Sequence, residues 1–454
     1  MHVLLSNTHA TLEEYTSVEH RWLSQYLSCR EMRFSGRGND VTATPVYHTL
    51  LGTGAHPAFP AGLARLVHSA AKKEGIDIVW YDSRKCPGAP DDAADLSGLR
   101  DYQLSAVRAA ATKERGIIQG PTGSGKTHIF LGLTQFLPVE WLFVVHRSDI
   151  VEQTIARYER HTGERAGTYS GGTWDRGTAN VTVATFQALH RALRNGHQID
   201  FFDAVNVDEV HAQPAASFFE TTLSLSRAYY RIGQSATPLH RGDLESLRAM
   251  GALGPVVYKI ETQLLIDRGV LSKPAIKMFV LEQGVGVECS WAAAYKKFIV
   301  QSARRNALVL DMAQRARKPC LLFVERVAHG HDIQKRLEKA GVSCDFAWGA
   351  RPVPVRQSLV KRLEEGYIDV LICNRVFQEG IDIPALKSVV VAAGRQSTVE
   401  ALQRLGRGMR TCADGDDSFE LWDVFDTGHK WLRKHALERQ SAYESEGHEV
   451  EISY

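Results

Sequence analysis

Features of membrane proteins and of disulfide-stabilised proteins are missing from this sequence. No apolar run approaches the roughly 18 residues that can span a bilayer, and the N-terminus MHVL lacks the charged start and long apolar stretch of a signal peptide. The seven cysteines are widely spaced and include no C-x-x-C pair. This spacing argues against a zinc knuckle or a redox dithiol and suits a reducing compartment. We therefore expect a cytoplasmic protein with no membrane partner.

An excess of charge of one sign is also missing. Lys and Arg number 54 and Asp and Glu number 52, which gives a formal net charge of +2. This balance excludes a basic, coat-like nucleic-acid binder, so any polyanion would be held by local charge in a groove. The hydrophobic fraction of 44% is that of a soluble globular protein, and 454 residues are enough for two or three domains.

The pattern of apolar runs predicts an α/β fold. Short β-branched apolar runs alternate with helical stretches, which is typical of parallel sheets covered on both faces. The alternation lapses near residue 240 and resumes near 320, which indicates two α/β domains in tandem. The predicted strands are 116–119, 141–145, 181–184, 204–207, 231–234, 320–324, 369–373, 388–392 and 419–424.

A smaller domain is predicted before this pair. Residues 61–73 have a helical pattern and 76–81 a strand pattern, whereas the Pro-, Gly- and Asp-rich residues 86–98 indicate a linker. This α+β domain could bind duplex DNA, recognise a partner or brace the rest of the chain. The predicted boundaries are an N-terminal accessory domain (1–85), the linker (86–98), a first α/β domain (99–255), a connecting region (256–300), a second α/β domain (301–430) and a C-terminal tail (431–454).

A phosphate-binding loop is predicted at residues 120–127. They read GPTGSGKT, which matches G-x-x-x-x-G-K-[ST] between a strand and a helix, the context that the motif requires. Glycines let backbone N–H groups approach phosphate oxygens at a helix N-terminus. We expect Lys126 to reach the β- and γ-phosphates of ATP and the Thr127 hydroxyl to bind Mg²⁺. The rest of the phosphate contact would come from Gly120, Thr122, Gly123, Ser124 and Gly125.

Two adjacent carboxylates, Asp208 and Glu209, follow the predicted strand 204–207. The carboxyl ends of strands in an α/β sheet face the phosphate crevice. An Asp-Glu pair alone is usually a solvated loop, but together with a phosphate loop it predicts a catalytic pair. Asp208 would hold Mg²⁺, and Glu209 would orient and deprotonate the attacking water.

Further motifs precede and follow the phosphate-binding loop and the carboxylate pair in a fixed order. With the DEVH box at 208–211, they resemble the motifs of superfamily 2 helicases from the Q motif to motif VI. The connecting region (GPVVY at 254–258, LSKP at 271–274) and DVFD at 423–426 are similar to phage UvsW-type and XPB-like DNA translocases. The other matching segments are LRDYQ (99–103), VVHRS (144–148), ATFQ (184–187), GQSATP (233–238), LLFV (321–324), FQEGIDIP (377–384) and QRLGRGMR (403–410).

This resemblance implies two tandem RecA-like domains with ATP bound between them. Planar, permanently charged arginines of the second domain would act as fingers on the γ-phosphate. The implied roles are catalysis at the γ-phosphate for Gln403, Arg407 and Arg410, ribose contact for Asp382, a further ATP contact for Gly380, adenine recognition for Arg100 and Gln103, and coupling to nucleic acid for Ser235 and Thr237.

The resemblance also implies a track for nucleic acid across both domains. Contacts there would go to phosphates rather than base edges, and therefore carry no sequence information. Asn374 stands where the family usually has Thr, which leaves that backbone contact open. The implied contact residues are His146, Arg147, Gly171, Gly172, Thr185, Gln187, Phe323 and Asn374.

The expected function is that of an ATP- and Mg²⁺-dependent DNA motor. The UvsW-like segments favour action on branched DNA such as forks, Holliday junctions and R-loops, in recombination, repair or replication restart. The setting would be a bacterial or phage-infected cell, with accessory replication or recombination proteins as expected partners. The alternatives are an RNA helicase and the motor subunit of a restriction-type system, since the core motifs do not separate DNA from RNA.

Overall fold

The structure is a computed structural model in which the chain forms two compact units. One unit comprises residues 1–120 and 125–260, and the other comprises 121–124 and 261–454. In the part of the chain that the structure describes, no helix is long and apolar enough to cross a membrane. The described residues are 1–35, 42–170, 172–212, 215–236, 239, 244–282, 290–374, 386–395, 419–445 and 447–454.

The N-terminal residues form a small α+β domain, as predicted. A sheet with strand order β5-β2-β1-β6 carries two helices, and β3 and β4 form a separate antiparallel hairpin. The predicted helix begins as a 3₁₀ turn at Ala61–Leu63, and the predicted strand begins late because Ile76 N–H still bonds the Ala71 carbonyl of the preceding helix. The elements are β1 (His2–Leu5), β2 (His9–Glu14), α1 (Ser17–Tyr26), β3 (Ser28–Ser35), β4 (Thr42–Thr49), β5 (Ala58–Pro60), α2 (Ala64–Lys73) and β6 (Val79–Asp82).

The next residues build an eight-stranded sheet of order β10-β9-β11-β8-β12-β13-β7-β14. Neighbouring strands are parallel, apart from the antiparallel β9 and β10. All five predicted strands of this domain are confirmed, whereas β9, β10 and β14 were not predicted. The elements are α3 (Asp101–Lys113), β7 (Arg115–Gln119), α4 (Lys126–Phe136), β8 (Trp141–Val145), α5 (Ser148–Thr162), β9 (Ala166–Ser170), β10 (Thr173–Gly177), β11 (Val181–Thr185), α6 (Phe186–Arg194), β12 (Ala204–Asp208), α7 (Ala215–Leu223), β13 (Tyr230–Ser235), α8 (Leu244–Leu253) and β14 (Val256–Lys259).

The N-terminal domain packs against the amino ends of these strands. Asn7 Nδ2 donates to the carbonyls of Ser226 (3.1 Å) and Arg227 (3.2 Å), just before β13. Arg115, the first residue of β7, donates back to the Asn7 carbonyl at 3.2 Å. A Cβ at Gly62 would overlap the Met250 carbonyl of α8, so only glycine allows this close approach. The small domain is therefore fixed to the edge of the sheet where the strands begin.

The predicted linker also lies along this domain. Gly88 accepts a hydrogen bond from Tyr230 Oη at 3.0 Å, and Asp91 N–H donates to the Phe136 carbonyl at 2.8 Å. The segment has the irregular backbone that its Pro, Gly and Asp content predicts. It is hydrogen-bonded to the first residue of β13 and to the last residue of α4.

A seven-stranded parallel sheet of order β17-β18-β16-β19-β20-β15-β21 forms the core of the second unit. The four strands predicted here are confirmed. The other three were not predicted: β17, β15 from the predicted connecting region, and β21 from the predicted tail. The elements are α9 (Thr262–Asp267), β15 (Pro274–Leu281), α10 (Trp291–Tyr295), α11 (Ala303–Arg315), β16 (Cys320–Phe323), α12 (Val327–Lys339), β17 (Cys344–Ala347), α13 (Val353–Glu364), β18 (Val370–Cys373), β19 (Ser388–Val391), β20 (Phe419–Asp426), α14 (Lys430–Ser445) and β21 (Val450–Ser453).

Candidate active site

The register of the first sheet brings five strand ends to one edge. Thr185 pairs with Val145, Asp208 with Gln234, and Ser235 with Gln119. The residues that follow β11, β8, β12, β13 and β7 therefore lie side by side, in that order along the edge. Motifs that lie far apart in the sequence meet here because every one of them follows a parallel strand.

The phosphate loop joins β7 to α4. Gly123 and Gly125 have positive φ angles of 91° and 81°, a conformation that glycine adopts without strain. Helix α4 begins at Lys126, so the N–H groups of its first turn are available to an anion, as the motif predicts. The start of the loop is tied to the next strand, because Gly120 N–H donates to the Ser235 carbonyl at 3.0 Å.

Gln103 packs against this loop. Its side chain is buried, with 5% exposure, and its Oε1 accepts the Arg100 N–H at 3.0 Å. A Cβ at Gly125 would overlap the Gln103 Nε2 amide, so the two residues are in close contact. The structure thus brings Gln103 to the phosphate loop, beside the exposed Arg100, and adenine recognition by this pair stays a prediction.

A chain of polar contacts connects the phosphate loop to the end of β13. Lys126 Nζ lies 3.0 Å from Glu209 Oε1, and Glu209 Oε2 lies 3.4 Å from His211 Nδ1. The same His211 nitrogen lies 2.7 Å from Ser235 Oγ. Lys126, Glu209 and Ser235 were predicted site residues, whereas His211 was not assigned a role. The sequence feature that could have pointed to His211 is its place as the fourth residue of the DEVH box.

The two carboxylates differ in electrostatics. Burial and the negative charge of Glu209 together raise the pKa of Asp208 to about 6, against the opposing effect of Lys126. Burial alone would also raise the pKa of Glu209, but Lys126 and His211 together lower it below its ordinary value. Glu209 has a φ angle of 46°, a left-handed conformation that is uncommon for a non-glycine residue and recurs at functional sites.

The residues present fit a magnesium ion. The positive charge of Lys126 is paired with Glu209. A divalent cation would therefore supply the positive charge that stabilises the ionised form of the buried Asp208. The Thr127 hydroxyl stands at the start of α4 and accepts a hydrogen bond from Arg157 at 3.2 Å. Hydroxyl and carboxylate oxygens are ligands that Mg²⁺ prefers. No sequence signal pointed to Arg157.

The predicted nucleic-acid contacts of the first domain lie on the other half of the edge. Thr185 caps α6 by accepting the Ala188 N–H at 3.2 Å, and Gln187 is exposed one turn into that helix. Arg147 precedes α5, and His146 beside it is 9% exposed. These residues follow β11 and β8. Gly172, with a φ angle of 87°, lies in the β9–β10 turn.

One predicted contact in the second unit is corrected. Phe323 ends β16 and its side chain has 0% exposure, so its ring belongs to the core and is not available to nucleic acid. Position in motif IV indicated a surface role, but the strand is buried on both faces. Asn374 follows the neighbouring strand β18, since Phe323 pairs with Cys373. Several predicted residues lie outside the described part of the chain: Gly171, Thr237, Gly380, Asp382, Gln403, Arg407 and Arg410.

The fold and the site together define a phosphate-loop protein with two parallel-sheet domains. Residues 96–240 match the family model "Type III restriction enzyme, res subunit", and 304–412 match "Helicase conserved C-terminal domain". The chain belongs to the superfamily 2 helicases, which confirms the resemblance read from its motifs.

Named relatives agree with this family. The chain is 25% identical to the DNA 3'-5' translocase XPB2 of Sulfurisphaera tokodaii, over 70% of this chain and 79% of the relative. It is 21% identical to the ATP-dependent DNA helicase uvsW of Enterobacteria phage T4, over 76% of this chain and 75% of the relative. The chain spans only about half to three fifths of the length of some other curated relatives that it matches.

A solved structure shows the same fold. A fragment assigned to the HsdR subunit of a type I restriction enzyme from Vibrio vulnificus YJ016 superimposes with a TM-score of 0.59. The alignment covers 97% of this chain and 93% of the fragment at 18% identity. At this identity the likeness concerns the fold alone.

Proposed function

We propose that this protein is an ATP-dependent DNA helicase or translocase that remodels branched DNA, such as forks, Holliday junctions and R-loops, in recombination, repair or replication restart. The observation that carries the proposal is the contact chain from Lys126 through Glu209 and His211 to Ser235. It joins the phosphate loop to the end of β13 on the same edge as Thr185 and Arg147. One sheet edge thus carries the residues that we propose for the nucleotide site and for contact with the nucleic-acid backbone.

The proposed mechanism begins with the transfer of Lys126 from Glu209 to the triphosphate. Glu209 would then be released to accept the proton of the attacking water. Mg²⁺, held by Thr127 and Asp208, would neutralise charge on the β- and γ-phosphates when it is bound. Loss of Lys126 from Glu209 changes the charge beside His211, and His211 transmits the change to Ser235.

The relatives named as DNA translocase and DNA helicase support DNA as the substrate. A motor that steps along any sequence requires contacts to the phosphate backbone, and the Thr185 and Gln187 positions offer hydroxyl and amide donors for it. Branched DNA is proposed because of the UvsW-like segments of the sequence.

The proposal is tested with purified protein. ATP hydrolysis is measured alone, with duplex DNA, with a synthetic four-way junction and with RNA of matched length, and junction unwinding is followed on a gel. We expect DNA to stimulate turnover and the junction to be unwound. Lys126→Ala and Glu209→Gln should abolish turnover without loss of folding, whereas Lys361→Ala, an exposed lysine of α13, should retain it.

The outcomes separate the alternatives. Stronger stimulation by RNA than by DNA would identify an RNA helicase. Stimulation by duplex DNA without junction unwinding would favour a translocating subunit of the restriction type. Full turnover in Lys126→Ala or Glu209→Gln would refute the site.

A further inference from the structure

Two buried amide side chains lie in the centre of the first sheet. Asn206 of β12 and Gln234 of β13 are 0% and 1% exposed. Within the part of the chain that the structure describes, neither the side-chain oxygen nor the side-chain nitrogen of either residue has a hydrogen-bond partner. Buried amides are rarely left in this state, because such a group loses its bonds to water and gains none in return. Stability alone therefore does not account for these two residues.

The strand register places both amides on the same face of the sheet as Asp208. Asn206 pairs with Phe143, whose ring stacks on Phe130 of α4, so Asn206 lies on the face that α4 covers. Asp208 is two residues further along β12 and pairs with Gln234. Successive residues of a strand point to opposite faces. Residues two apart therefore share a face, and all three polar side chains lie beneath α4.

Asp208 is the charged neighbour of this amide pair. Gln234 lies between Asp208 on β12 and Ile118 on β7. Asn206 lies beside Ile232 of β13, and Gln234 is the next residue of that strand on the same face. Neighbouring strands are about 4.8 Å apart, so rotation of the Gln234 side chain can bring its amide to the Asp208 carboxylate. The Asn206 amide is in the diagonal position behind it.

A donor beside Asp208 has a clear use if this carboxylate binds a metal ion. A carboxylate that gives one oxygen to a metal retains a second oxygen that can accept a hydrogen bond. Donors to metal ligands fix the orientation of the ligand, and their loss typically costs ~10–100-fold in metal affinity. An apolar side chain in place of Gln234 would avoid an unpaired buried amide, but it could not orient Asp208.

We propose that Gln234 and Asn206 are positioning residues that orient Asp208 for Mg²⁺. When the metal is bound, Gln234 Nε2 donates to the carboxylate oxygen of Asp208 that the metal leaves free, and Asn206 Nδ2 donates to Gln234 Oε1. The inference rests on the proposed function for the role of Asp208 as a magnesium ligand.

The first test compares Gln234→Met with the wild type, because methionine has nearly the same size as glutamine but no amide. The Kd of a non-hydrolysable ATP analogue is measured by calorimetry with saturating Mg²⁺ and again in EDTA. We expect the factor by which Mg²⁺ tightens binding to fall ~10–100-fold, with the Kd in EDTA unchanged. The matched control is Ser246→Ala in α8, which removes a buried hydroxyl that has no partner among the described residues and should leave the factor unchanged.

The second test uses Asn206→Leu. Because Asn206 acts through Gln234, this substitution should reduce the effect of Mg²⁺ less than Gln234→Met does, and it should add no further loss in the double variant. Thermal unfolding in EDTA gives a measurement that does not involve the metal. Both single variants should unfold at the wild-type temperature or above it, because an apolar side chain replaces an unpaired buried amide. Gln234→Leu takes the place of Gln234→Met if the latter does not fold.

Asp208→Asn distinguishes the two ways in which the inference can fail. If Asp208→Asn removes the effect of Mg²⁺ and Gln234→Met retains it, the positioning role is wrong and the magnesium site of the proposed function stands. If Asp208→Asn also retains the effect, the ligand assignment in the proposed function fails, and the inference fails with it. A lower unfolding temperature in Gln234→Met with an unchanged effect of Mg²⁺ would show that the amide has only a structural role.

Discussion

Substitution of Glu209 by Gln should slow hydrolysis and tighten ATP binding at the same time. Lys126 lies 3.0 Å from Glu209, and the two side chains are 12% and 18% exposed. ATP must draw Lys126 away from this carboxylate before the lysine can reach the phosphates. Glutamine has nearly the same size but no charge, so Lys126 would be free at the outset. Loss of the base would lower kcat by ~10²–10⁴-fold.

The magnitude of the affinity gain follows from the burial of the pair. Exposed ion pairs are worth ~0.2–1 kcal/mol, and breakage of a fully buried pair costs ~3–5 kcal/mol. A pair with this intermediate burial should make the free energy of ATP binding less favourable by ~1–3 kcal/mol, which corresponds to about a 5- to 150-fold change in Kd. Removal of negative charge near the triphosphate acts in the same direction.

The assay is calorimetric titration with a non-hydrolysable ATP analogue and Mg²⁺. Glu114→Gln serves as the matched control, because Glu114 also forms an ion pair, with Arg84 at 2.8 Å, but at the amino edge of the sheet. We expect a lower Kd in Glu209→Gln and an unchanged Kd in Glu114→Gln. An equal or higher Kd in Glu209→Gln, together with lost turnover, would refute competition between Glu209 and ATP for Lys126.

Two more predictions concern the same site. Gly125→Ala should weaken ATP binding at least ~tenfold, because a left-handed alanine costs ~1–2 kcal/mol and its Cβ would overlap the Gln103 amide. Gly163→Ala, with a φ angle of 76° and open space around it, carries the same backbone cost and should leave Kd unchanged; equal Kd values in both variants would contradict the argument. Below pH about 6, the pKa of Asp208, apparent Mg²⁺ affinity should fall ~tenfold per pH unit, as measured by Mg²⁺ titration of ATP hydrolysis between pH 5 and 8. A Mg²⁺ affinity independent of pH would show that Asp208 is not a ligand. Folding raises the pKa of Asp208 from 3.8. The contribution of this group to the stability of the metal-free protein should therefore be lost as pH rises from about 4 to about 6.

The parts of the fold that could be predicted are those with local causes. Strands such as β8 and β12 are buried on both faces, and their continuous apolar runs are visible in the sequence. The phosphate loop and the DEVH box were recognised for the same reason, because each follows such a strand directly. Parallel pairing then brings them to one edge without further information.

The parts that could not be predicted depend on distant partners. Strand β15 pairs with β20 and β21, which lie at the other end of the sequence, so its own residues give little indication of the sheet that it joins. Arg305 is a second case, because an arginine within a helical sequence is usually exposed. Its partners, Ala392 and Asp426, are defined only by the fold.

The N-terminal domain contacts the amino edge of the first sheet, and this affects how a role of that domain can be tested. Burial, together with Arg231 and Arg84, lowers the pKa of Arg115 to about 9, and its guanidinium donates to the Asn7 carbonyl. Arg115 begins the strand that leads into the phosphate loop. Deletion of residues 1–85 would remove that acceptor, so a loss of ATP hydrolysis in the truncated chain could arise from β7 itself. A substitution on the exposed hairpin, such as Tyr47→Ala at 70% exposure, leaves this edge intact, and it therefore separates a role in DNA binding from a role in bracing the motor.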